Sequence, residues 1–77
     1  MKCQVLEIFN FKWGLICSLR VFGGNLKLND VLIDSKQQTF IVDGFAMPTF
    51  KSYKGYYEAD IKLEGSGTPV GTLTKKE

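Results

Sequence analysis

The sequence predicts an all-β fold, a small antiparallel barrel of six or seven strands. Three observations predict it. Val, Ile, Phe, Tyr and Thr dominate, and the only alanines, Ala46 and Ala59, lie in unrelated segments, so nothing favours a helix. Short apolar runs stop at Gly, Asn or Asp about every 8 to 12 residues, the spacing of a small barrel. And YEADIKLE, residues 57–64, alternates without a break.

The elements follow in order. Residues 2–11 read as a strand with a mixed pattern, because Leu6, Ile8 and Phe9 put apolar groups on both faces around Glu7. A bulge near Glu7 or a strand covered on both faces would explain this. Residues 10–14 form the turn into a second strand, residues 15–22. There Leu15, Cys17, Leu19 and Val21 make the core set, and Phe22 falls on the more polar face. In VFGGNLKLNDVLID the chain breaks twice. Gly23 and Gly24 end the second strand because glycine reaches positive φ without steric cost. Leu26 and Leu28 point the same way in a brief extended step, and Asn29 and Asp30 make the second turn. Residues 31–33 resume as a strand, residues 35–38 turn, and residues 39–42 form a strand closed by Asp43 and Gly44.

Residues 45–55 are the longest connection, with Pro48 and clustered aromatics. In residues 57–64, Tyr57, Ala59, Ile61 and Leu63 face the core and four charges face water. Gly65, Ser66 and Gly67 end that strand. Residues 68–74 supply a closing strand, where Pro69 fits only the start or an edge.

A chain of 77 residues makes one domain, residues 1–77. Its stability is marginal: burial contributes about 120 kcal/mol, and ordering the chain costs about the same. Good packing, a closed hydrogen-bond network or a partner chain must supply the difference. Ten basic residues stand against eight acidic ones, a net charge of +2 that is too mild to argue for nucleic acid. The two cysteines, Cys3 and Cys17, could face each other across a hairpin, but two buried free thiols are the expectation. No apolar run approaches a membrane span, and Gln4 and Glu7 interrupt any leader-like core, so a cytoplasmic protein is expected, without a membrane partner.

Catalysis is not expected. Histidine is absent, which removes the commonest general base and the commonest metal ligand. The carboxylates Glu7, Asp30, Asp34, Asp43, Glu58, Asp60 and Glu64 sit by turns or on one solvent face, where solubility and turn chemistry explain them. Two cysteines without C-x-x-C spacing make no zinc site, and no cofactor is implied.

The stretch from residue 44 to residue 57 contains no acid and carries Phe50, Lys51, Tyr53, Lys54 and Tyr56. Aromatics enriched at protein contact sites make this the candidate binding surface, together with Trp13. Tyrosines stacking on bases with lysines on phosphates is the alternative. Folding back to plug one barrel end is the purely structural role. Trp13 and Phe11 flank Lys12 at the first turn, where they cap the barrel or mark a contact patch; capping is the expectation.

The segment EIFNFKWGLICSLRVFGGNLKLNDVL, residues 7–32, resembles the β-barrel second domain of translation GTPases of the elongation factor Tu type. Gly14 stands at that family's first glycine, Arg20 and Val21 at its "rV", Gly24 at its turn glycine, and Leu26 and Lys27 at its "lk". Asn29 and Asp30 stand where the family has Gly-Asp. Residues 40–45, 59–65 and 70–73 resemble its later strands. No G-x-x-x-x-G-K-S/T loop is present, and there is no room for a nucleotide domain. The resemblance implies an orphan barrel, and an RNA-binding accessory role in translation as one function. The residues themselves point first to a non-enzymatic module that binds a protein partner. Edge strands pairing between copies would also allow a homodimer.

Overall fold

The described residues form seven strands: β1 (Lys2–Phe11), β2 (Gly14–Phe22), β3 (Val31–Ile33), β4 (Thr39–Phe45), β5 (Lys51–Tyr53), β6 (Tyr56–Gly65) and β7 (Thr72–Lys75). The computed structural model describes residues 1–46 and 51–76, with Lys51 as backbone only. All pairings are antiparallel. Six strands close a barrel in the order β2-β1-β7-β3-β4-β6, with β6 returning to β2. The extra strand, β5, lies on the same edge of β6 as β4 and ends in a hairpin. Ala46 donates its amide to the carbonyl of Asp60, and Lys51 pairs with Glu58 two residues further along β6. Among the described residues, no helix is long and apolar enough to cross a membrane.

The core forms where alternation predicts it. Leu15, Cys17, Leu19 and Val21 of β2 pack with Ala59, Ile61 and Leu63 of β6, and Leu26, Leu32, Phe40, Val42, Leu73 and Cys3 complete the cluster. Cys3 lies opposite Val21 and Cys17 opposite Ile8, so the two cysteines do not face each other, and both are free and buried. Burial pushes each thiol up to about 11, which keeps them protonated. The bulge expected near Glu7 is present: the register shifts between Val5 and Glu7, which makes Leu6 the extra residue. The strand is not covered on both faces.

Three local expectations change. Leu26 and Leu28 do not share a face: Leu26 is buried and Leu28 exposed. The reason is a turn. Asp30 accepts the amide of Lys27 through Oδ2 and donates its own amide to the Lys27 carbonyl, with Asn29 at φ 71°. Leu26 dips inward instead and donates its amide to the Tyr57 hydroxyl at 2.8 Å. Asp43 and Gly44 do not end the fourth strand, because a bulge between Val42 and Gly44 absorbs Asp43 and β4 continues to Phe45. The closing strand begins only at Thr72, because Asp34 captures the residues before it.

Asp34 is buried at 3% exposure although the four residues that follow it are polar. Its Oδ1 accepts the amides of Lys36 (3.0 Å) and Gln38 (2.8 Å). Its Oδ2 accepts Nε2 of Gln38 (2.7 Å) and the amide of Val70 (2.9 Å). Ser35 adds an amide donated to the Val70 carbonyl. Burial alone would raise the Asp34 carboxyl pKa, but the donors from Val70, Gln38 and Lys36 outweigh it and hold it below the usual range. Residues 68–70 are thus tied to the turn between β3 and β4 and cannot run on beside β1.

Candidate protein-contact surface

The outer face of β2 and β6 is a ladder of matched cross-strand pairs. Phe22 lies opposite Tyr56, Arg20 opposite Glu58, Ser18 opposite Asp60 and Ile16 opposite Lys62. Arg20 donates to Glu58 Oε2 from both Nε and Nη2, at 3.1 and 2.9 Å. Ser18 donates its hydroxyl to Asp60. Lys62 reaches across to Asp43 of β4 at 2.9 Å. Arg20 and Lys62 are each paired with a carboxylate, and Asp60 keeps its negative charge against the neutral Ser18 hydroxyl. The two ends are aromatic, and they differ.

At the first end, Tyr53 stacks on Tyr56 with centroids 4.9 Å apart, Phe22 tilts against Tyr56 at 5.3 Å, and the Arg20 guanidinium lies 5.0 Å from the Tyr56 ring centre. Lys54 and Gly55 form the exposed hairpin tip, with Gly55 at φ 88°, a left-handed geometry that glycine adopts without strain. An open groove of about 380 Å³ runs beside this cluster, lined by Gly23, Gly24, Ser52, Tyr53 and Tyr57. Tyr56 spends its ring faces on its neighbours, and Arg20 its charge on Glu58. Phe50 lies outside the described residues, and Lys51 enters only as backbone of β5.

At the opposite end, Trp13 is 63% exposed and stacks flat on Phe11, centroids 4.8 Å apart and planes 5° apart. Lys62 Nζ lies 5.7 Å from the Trp13 ring centre. The indole does not cap the barrel. It stands on the outer face, because the two-residue turn Lys12–Trp13 projects it away from the core. Phe9 is 43% exposed and lies opposite Ile16 on the same outer face, next to Phe11. The structure therefore does not bring Trp13 and the tyrosines together. Tyr56 and Lys62 are six residues apart on one strand, about 20 Å at ~3.3 Å per residue.

Beside Trp13 lies a feature not picked out in the sequence. β1 pairs with β7 over only three residues, Lys2, Cys3 and Gln4. From residue 7 to residue 11 it pairs with β2 alone, and Leu6 is the unpaired bulge residue before them. Among the described residues nothing bonds the other edge. Leu6, Ile8, Phe9 and Phe11 are all exposed along that edge. The apolar pattern on both faces of residues 6–9 was its signal: neither face is fully covered, because the neighbouring strand stops short.

Among the described residues, four of the carboxylates have charged or amide partners. Glu58 pairs with Arg20, Asp43 with Lys62, Asp30 with Lys75 at 3.4 Å, and Asp34 is consumed by amides. Among the described residues, no three Cys, Asp or Glu side chains stand close enough to hold a metal ion. Comparison with protein-family models, with curated proteins and with solved structures returned no match for this chain.

Proposed function

We propose that this chain is a non-enzymatic protein-binding module whose contact surface is the Trp13 end of β1 and β2. One observation carries this reading: Phe9, Phe11 and Trp13 form an exposed apolar row beside a strand edge that has no backbone partner among the described residues. Clustered exposed aromatics mark contact sites, and a bare edge offers a ready row of donors and acceptors. The ladder between the two ends has its cations paired and holds the Asp60 carboxylate, which argues against a phosphate track. Two free buried thiols suit a reducing compartment such as the cytoplasm.

The second reading is an RNA-binding accessory factor, and the tyrosine end favours it. Tyr53, Lys54 and Tyr56 occupy the acid-free stretch, and the likeness to the translation-GTPase barrel points the same way. The test is capture of partners from a native extract by tagged chain, with and without nuclease, at low and high salt. The protein-binding reading expects partners that survive nuclease and salt and disappear with Phe11→Ser plus Trp13→Ser. Recovery of RNA, lost in high salt and with Lys54→Ala, would replace it with the second reading.

A further inference from the structure

We infer that the bare edge of β1 pairs antiparallel with the same edge of a second copy, centred on Phe9, so that one sheet runs through two barrels. This rests on the protein-binding reading and names the occupant of its surface. A two-fold axis perpendicular to a sheet maps an antiparallel strand onto itself without exchanging its faces, so equal residues meet at the centre. Centred on Phe9, the two Phe9 rings meet on the outer face. Glu7 of each copy then lies opposite Phe11 of the other and within reach of its Lys12.

Charge favours self-pairing over a foreign strand. Residues 6–12 contain two charges, Glu7 and Lys12, one towards each end of the edge. Among the described residues, neither makes an ion pair within its own chain. Antiparallel pairing of two copies sets each beside its opposite, at two symmetric places. The segment is its own electrostatic complement.

Area points the same way. Leu6, Ile8, Phe9, Phe11 and Trp13 are each between 38% and 63% exposed. Covering them completely would remove at most roughly 500 Å² per copy, about 1,000 Å² in all, which just reaches the threshold of a specific interface. The edge is also lightly guarded. Residues 6–11 contain no Pro, Lys or Arg, and the one bulge sits at the end nearest β7.

The test is sedimentation of the whole chain over a range of concentrations, with three sets of variants. A reversible dimer is expected. Phe9→Lys, which faces two like charges at the centre, should weaken it at least about a hundredfold. Glu7→Lys and Lys12→Glu should each weaken it about tenfold, and the double variant should restore it. Glu7 and Lys12 are exposed, so the reversals test the idea even if Phe9→Lys fails to fold. A folded chain that stays monomeric at every concentration overturns the inference. So does a dimer indifferent to the reversals, or one that the double variant fails to restore. A monomer that still captures a foreign protein through Phe11 and Trp13 would sink self-pairing and keep the protein-binding reading. A monomer without that capture would sink both.

Discussion

Val70 donates its amide to Oδ2 of Asp34 at 2.9 Å, across 36 positions of sequence, and this bond bears on where β1 loses its neighbour. Continued backwards past Thr72, β7 would pair with residues 5–7 of β1. Asp34 holds Val70 on the β3 side instead. A turn carboxylate thereby helps to leave a strand edge bare on the far side of β7.

Replacing Asp34 should therefore cost the fold more than its place in a polar turn suggests. Asp34→Ala leaves the amides of Lys36, Gln38 and Val70 without their acceptor. The melting temperature should fall by roughly 10 °C or more. Circular dichroism against temperature checks this, and a change of only a degree or two would contradict it.

Acid should act through the same group. The carboxyl pKa is lower in the fold than in the unfolded chain. Its contribution is thus fully present above the unfolded value of about 3.9 and is lost as pH falls through the lower folded value. Melting temperature should decline below about pH 4 in the native chain. The decline should be flatter in Asp34→Asn, which cannot titrate.

The thiols predict the alkaline limb. Both Cys3 and Cys17 titrate at about 11 in the fold, above the ordinary value of 9.0, because burial disfavours the thiolate. The unfolded chain therefore loses these protons first, and stability should fall as pH rises from about 9 towards 11. Near neutral pH neither thiol should react with a disulfide reagent until denaturant is added, when both should react. Prompt reaction in the native state would mean that these strands open easily.

Gly65 should not accept a side chain. A Cβ there would lie 2.7 Å from a ring carbon of buried Phe40 and 2.7 Å from the carbonyl oxygen of Thr39. Gly65→Ala should lose about 1–3 kcal/mol, measured by urea unfolding.

Much of this fold is legible in the sequence, because it rests on neighbours two positions apart. The alternation in residues 57–64 gives β6 its inner face, and Leu15, Cys17, Leu19 and Val21 give β2 its own. Asp34 is not legible, since DSKQQ reads as a solvated turn and one of its key donors comes from residue 70. The distance between Trp13 and the tyrosines depends on the β2–β6 register, which no local pattern contains. The apolar faces of residues 6–9 were visible, but their meaning depends on where β7 begins.

The most direct measurement is amide hydrogen exchange of residues 6–11, followed by NMR at low and high protein concentration. At low concentration these amides should divide into two sets. Those bonded to β2 should be protected, and those on the outer edge should exchange rapidly. At high concentration the outer set should become protected, while the rest of the barrel is unchanged. Outer-edge amides that exchange rapidly at every concentration, or are already protected in the dilute monomer, would contradict a bare β1 edge that a second copy covers.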